Sequence, residues 1–111
     1  GIEVTYFSAA HDDLASLIQP NTKVVYVESP GSLLFEMLDM TTLAATAKEN
    51  NLILVTDNTW GSGYIYRPLA LGADVSVVAG TKYVAGHSDV MLGAVIVKDE
   101  KIAARIHSAH V

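Results

Sequence analysis

Lys82 stands in Thr81-Lys82-Tyr83, between the strand-like run Asp74-Val75-Ser76-Val77-Val78 and the turn Ala85-Gly86-His87-Ser88-Asp89. It is this chain's candidate amine for covalent chemistry. Twenty-five positions earlier, Asp57 ends another apolar run, Leu52-Ile53-Leu54-Val55-Thr56. The sequence therefore offers an amine and a carboxylate at the carboxyl ends of two predicted strands. A lysine amine in water is protonated at neutral pH and attacks poorly, but joined to a cofactor aldehyde it becomes a carrier that a substrate amine can displace. The pair suits a pyridoxal phosphate site, with the acid facing the pyridinium nitrogen.

Other residues suggest chemistry less well. His87, between Gly86 and Ser88-Asp89, lacks the nucleophile-elbow pattern of a hydrolytic triad and reads as a structural turn residue. His107 and His110 are three apart on a predicted helix, but with no Cys and no third ligand they read as a solvated helix end. Glu28 and Glu36 form no convincing acid pair, and Gly61-Ser62-Gly63 is too short and wrongly placed for a dinucleotide fingerprint. Trp60, Tyr64 and Tyr66 read as core or interface packing, with pocket lining as the alternative.

The elements that must position Lys82 and Asp57 follow from pattern. Asp12 or Asp13 caps a short helix through Ile18, closed by Pro20-Asn21. Lys23 to Glu28 is β-branched and aromatic and reads as a buried strand, halted by Ser29-Pro30-Gly31-Ser32. Asp39 is the expected N-cap of a helix over 40–49, where Met40, Leu43, Ala44 and Ala47 share a face. Strands are expected at 52–56, 75–78 and 92–97, with a turn or short helix opened by Pro68 and closed by Gly72. Asp99 or Glu100 starts a last helix with Ile102, Ala103 and Ile106 on one face. Apolar strands alternating with helices give an α/β fold, a mostly parallel sheet with helices on both faces. Such sheets bind ligands at the carboxyl ends of their strands, which is where Asp57 and Lys82 fall.

Composition narrows the classes. The 111 residues are half hydrophobic, with seven basic and twelve acidic side chains for a formal charge of −5. No block of Lys or Arg is present, which argues against nucleic acid or an anionic membrane as partner. The absence of Cys removes disulfides, thiolate metal sites and thiol nucleophiles. No apolar stretch approaches the ~20 residues that span a bilayer, and Gly1-Ile2-Glu3-Val4 is unlike a signal peptide; a cytoplasmic setting is the default. A start without Met and a stop inside a helical pattern suggest a fragment.

Asp74-Val75, three residues, Ala79-Gly80-Thr81-Lys82-Tyr83-Val84, one residue, and Gly86-His87-Ser88 together resemble the lysine signature of the Cys/Met-metabolism pyridoxal phosphate enzymes. Val27-Glu28-Ser29-Pro30-Gly31-Ser32 and Thr56-Asp57-Asn58-Thr59-Trp60 resemble this family in order and spacing. With Gly1 to Phe7, they look nearest to its bacterial cystathionine β-lyases. The resemblance implies that residues 1–111 are part of the cofactor-binding large domain of a fold-type-I enzyme, truncated at both ends.

Carried over to this sequence, the resemblance implies that Lys82 bonds pyridoxal 5'-phosphate and is catalytic, Asp57 pairs with its ring nitrogen, Thr81 contacts the phosphate and Thr59 helps place the ring. It implies β-elimination from cystathionine in methionine biosynthesis, a sulfur-containing amino-acid substrate and a homo-oligomer, a tetramer in the family. Cystathionine γ-lyase, γ-synthase and methionine γ-lyase relatives stay open, as does a non-catalytic α/β fragment. Two positions depart from the family pattern: Ala79 replaces a frequent phosphate-binding Ser, and Ser32 a frequent Asn. Further phosphate, ring-stacking and substrate-carboxylate groups are expected outside these residues, so the isolated chain is expected to be inactive or nearly so.

Overall fold

A computed structural model describes residues 1–8 and 11–110, the side chain of His110 excepted. The reading of His107 and His110 as a solvated helix end thus lies partly outside the described residues. Helix α1 (Leu14–Leu17) is capped by Asp13, whose carboxylate accepts the Ala15 N–H at 3.1 Å. Strand β1 (Val24–Glu28) leads through a loop to helix α2 (Met40–Glu49), then strand β2 (Ile53–Asp57). A single 3₁₀ turn (Pro68–Ala70) precedes strand β3 (Val75–Val78), followed by strand β4 (Ala94–Val97) and helix α3 (Glu100–His110).

The four strands lie in sequence order, β1 and β2 parallel, β2 and β3 parallel, β3 and β4 antiparallel. The sheet is mostly parallel, as the alternation of strands and helices requires. Asp74 tightens the β2–β3 join just ahead of the strand. Its N–H donates to the Leu54 carbonyl at 2.9 Å and its carboxylate accepts the Leu54 N–H at 2.8 Å.

Side chains of paired residues share a face, so register sorts the sheet into two sides. Val25 and Val27 of β1 and Leu54 of β2 meet Met40, Leu43 and Ala47 of α2, with Leu52 and Ala73 completing the core. Leu54 and Met40 are fully enclosed, and each such side chain contributes about 1.5–3 kcal/mol through burial. Gly72, at φ 107°, lets the turn before β3 lie on α2, because a Cβ there would come within 2.7 Å of the Ala44 methyl.

The other side holds Val24, Tyr26 and Glu28 of β1 and Asp57 of β2. Here the expectation of a buried first strand is corrected: Val24 and Tyr26 are 49% and 57% exposed. An edge strand covered on one face alternates in burial even when its residues are apolar throughout. β4, at the opposite edge, is likewise largely exposed. No helix among the described residues is long and apolar enough to cross a membrane.

Candidate active site

Because β1, β2 and β3 run parallel, their carboxyl ends form one rim, and β4 enters antiparallel beside the end of β3. Four segments meet there: Glu28-Ser29, Asp57-Asn58-Thr59, Ala79 to Lys82, and Leu92. Register sets Asp57 beside Glu28 on one neighbour and Val77 on the other. Lys82 lies four residues past Val78, the last residue of β3.

Asp57 is half-buried and accepts the Thr59 N–H at 2.9 Å. Its two-residue reach back onto the chain is an Asx turn that aims the strand end into the loop. Thr59 is buried, and its hydroxyl oxygen accepts the Ala79 N–H at 2.8 Å. Asn58 between them faces inward. Its N–H donates to Val77 O at 2.8 Å and its amide to Tyr66 O at 3.0 Å, while its buried Oδ1 has no partner among the described residues. The loop 58–66 closes around this amide, and Gly61 has no room for a Cβ between Asn58 Oδ1 and the Tyr66 Cβ.

Lys82 is exposed and helps line an open depression of about 720 Å³, with Thr81, Tyr83, Gly86, Ser88, Asp89, Val90 and Met91. Asp57 is not among its walls. The two residues stand on one rim, but the depression centres on the lysine. The lysine loop is pinned to Leu92, two residues before β4: the Thr81 N–H donates to Leu92 O at 2.9 Å, the Thr81 hydroxyl donates to the same carbonyl at 3.1 Å and accepts the Leu92 N–H at 2.8 Å.

Aromatic contacts tie β2's loop to the lysine loop. Trp60 lies 5.5 Å from Tyr83, ring to ring and tilted by 31°, and Phe35 meets Trp60 edge-on at 5.4 Å. His87 Nδ1 lies 2.9 Å from Ala85 O, in keeping with a turn residue.

Three features escaped sequence reasoning. Glu28, read only against Glu36, instead neighbours Asp57 across β1 and β2, and accepts the Ser32 hydroxyl. Tyr26 shares their face; partial burial pushes its phenol above the ordinary value of 10.0, and the charges of Asp57 and then Glu28 add to this. The Trp60–Tyr83 contact depends on two loops meeting, which no local pattern encodes.

Lys82, an exposed amine, and Asp57, a half-buried carboxylate, are of the residue types that the amine and carboxylate ends of a pyridoxal phosphate site would need. Thr59 keeps a hydroxyl hydrogen beyond the bond it accepts. The phosphate end fits less completely, since both roles of the Thr81 hydroxyl are engaged with Leu92.

Similarity to known proteins covers nearly the whole chain. Residues 1–111 match the family described as Cys/Met metabolism PLP-dependent enzyme. A cystathionine beta-lyase of Bordetella avium is 67% identical over 107 residues, covering 96% of this chain and 27% of the relative. An L-alanine/L-glutamate racemase of Wolbachia pipientis wMel is 41% identical over 90% of this chain and 25% of its own. The crystal structure of apo CalE6, a methionine gamma lyase from Micromonospora echinospora, superposes with a TM-score of 0.80 at 37% identity, covering 85% of this chain and 26% of that one. The chain thus spans about a quarter of the length of the proteins it matches. With the lysine signature, the fold and a match over every residue in agreement, the chain belongs to the pyridoxal-phosphate-dependent enzymes of Cys/Met metabolism.

Proposed function

We propose that these residues are the central part of a larger cofactor domain in a carbon–sulfur lyase that cleaves cystathionine by β-elimination. The net reaction consumes one water and gives homocysteine, pyruvate and ammonia. The observation that carries this reading is the 67% identity to a cystathionine beta-lyase over nearly the whole chain. We place the protein in the cytoplasm, as a homo-oligomer serving methionine biosynthesis.

In this reading Lys82 Nζ would hold pyridoxal phosphate. Asp57 would pair with the ring nitrogen, Thr59 would help place the ring, and Thr81 would contact the phosphate. The bound cofactor supplies an electron sink for the carbanion that forms at the substrate Cα. With its amine free, Lys82 would remove the substrate Cα proton as general base. The same ammonium then hands a proton to the sulfur as the Cβ–S bond breaks, so the thiol leaves neutral. Asp57 serves throughout by keeping positive charge on the ring nitrogen, since a carboxylate beside a cation favours the protonated form.

The structural likeness to a methionine gamma lyase favours a second reading, elimination at Cγ. Products distinguish the two: cystathionine cleaved at Cβ yields pyruvate, whereas cleavage at Cγ yields 2-oxobutanoate. The cofactor assignment is tested by incubating the complete protein with pyridoxal phosphate, reducing with borohydride and mapping the added mass. Modification at Lys82 is expected. A protein left unmodified at this position refutes the reading.

A further inference from the structure

The lysine loop, residues 79–86, has no helix or strand of its own, yet a catalytic amine must be held within a fraction of an ångström of its target. The bonds from Thr81 to Leu92 fix the side of the loop nearest β4. Nothing in those bonds sets the residue that follows the lysine. From the β2 side, two consecutive residues reach across. Thr59 accepts the Ala79 N–H, three residues before Lys82, and the Trp60 indole stacks on the Tyr83 ring, one residue after it.

Trp60 is itself backed. Phe35 meets it edge-on at 5.4 Å and holds φ at 57°, a left-handed conformation that a bulky side chain adopts only at a cost in backbone energy. Trp60 is 39% exposed and Tyr83 is 59% exposed, so neither ring is core. Tilted rings between 4.5 and 7 Å apart attract beyond simple burial, and such a contact between two loops restrains both.

We infer that Trp60 is a positioning residue for Lys82: its stack on Tyr83, with the Thr59 bond to Ala79, clamps the lysine loop on both sides of Lys82 and fixes the direction of the amine. The inference rests on Lys82 being the cofactor-binding amine. It extends that reading by assigning work to the residue three past Asp57, which ties the placement of the carboxylate and of the amine to one short segment.

The test uses the complete protein with Trp60→Leu, Tyr83→Leu, the double variant and Trp60→Phe, each checked for an unchanged far-ultraviolet circular dichroism spectrum. Three quantities are read: the rate at which borohydride traps pyridoxal phosphate on Lys82, the circular dichroism that the protein induces in the bound cofactor, and kcat apart from KM. Trp60→Leu is expected to slow trapping, shrink the induced signal and lower kcat by roughly ten- to a hundredfold, the scale of loss for a displacement near 1 Å. Because the two rings act through one contact, the double variant should lose little more than either single one. Trp60→Phe should recover most of all three signals.

Wild-type trapping and induced signal in Trp60→Leu overturn the inference and leave the assignment of Lys82 standing. Additive losses in the double variant overturn it as well. Absence of trapping on Lys82 in the unaltered protein overturns both. If Trp60→Leu does not fold, the Tyr83→Leu and Trp60→Phe proteins decide on the same three readouts.

Discussion

The hydroxyl oxygen of Thr59 accepts the Ala79 N–H at 2.8 Å, joining the loop after β2 to the segment that leads into Lys82. Two residues before Thr59, Asp57 accepts the Thr59 N–H. Threonine thus works on both sides, its backbone steadying the carboxylate and its side chain steadying the approach to the amine. Thr59→Val keeps the shape and removes the acceptor. The partly buried Ala79 N–H then lacks its partner, at a cost of up to about 1–3 kcal/mol. Denaturant unfolding of the variant should show that loss, and Thr59→Ser, which retains the oxygen, should recover much of it. Equal stability in the valine and serine proteins would contradict the role given to this bond.

Gly61→Ala should cost more than a loop substitution ordinarily does. A Cβ at this position would lie 2.6 Å from the Tyr66 Cβ and closer still to Asn58 Oδ1, both packed beneath the loop. Overpacking of this kind costs about 1–3 kcal/mol, and the displaced Asn58 amide would also strain its bond to Tyr66 O. Loss of stability with a weakened affinity for pyridoxal phosphate is expected, because Asn58 adjoins Asp57. Equilibrium unfolding and cofactor titration read the two effects separately.

Much of this arrangement is written locally in the sequence. Asp39 before Met40 and Asp99 before Glu100 are capping residues, and both accept the N–H groups of the first helical turn as read. The runs at 53–57 and 75–78 became parallel strands with Asp57 at the rim, since continuous apolar character marks the centre of such a sheet. That cue failed at β1, whose apolar residues alternate in burial because the strand is an edge. Glu28 stands beside Asp57 only by register across 29 residues of sequence, and the Trp60–Tyr83 stack only by the meeting of two loops. Neither has a local signature. The family was legible because the lysine signature is long, whereas the engagement of Thr81 with Leu92 awaited the position of the segment that leads into β4.

Asp57→Asn should ease the ionisation of Tyr26. Partial burial raises the phenol first, and the negative charges of Asp57 and Glu28 raise it further. Removing one charge should move the Tyr26 titration downward, toward its ordinary value, as read by ultraviolet difference absorbance with Tyr26→Phe to assign the signal. In linkage terms, a raised folded value favours the folded state below the unfolded pKa of about 10. That contribution fades as pH rises through the higher folded value, and the asparagine variant should lose less stability over this alkaline interval than the parent. An unchanged phenol titration would show that the Asp57 charge does not reach Tyr26.

At the acid end the group to watch is Asp39. Its Oδ1 accepts the Thr41 hydroxyl at 2.6 Å and the Thr41 and Thr42 N–H groups at 3.1 Å each, and its Oδ2 accepts the Thr42 hydroxyl at 2.7 Å. The two hydroxyl bonds, followed by the Thr42 N–H, hold its carboxyl down at about 2, below the ordinary 3.8. A depressed folded value means that the unfolded chain binds the proton more readily, so this contribution is fully present above about 3.8 and vanishes as pH falls through about 2. Helix α2 supplies Met40, Leu43 and Ala47 to the core, so loosening its first turn loosens the packing on β1 and β2. Asp39→Ala should lower the melting temperature at neutral pH and flatten its decline over that acid window. Asp39→Asn should keep much of the capping while removing the pH dependence. Melting curves collected from neutral pH down through the window compare the three proteins, and an alanine variant that retains the parent's acid slope would move the source of that slope to other carboxylates.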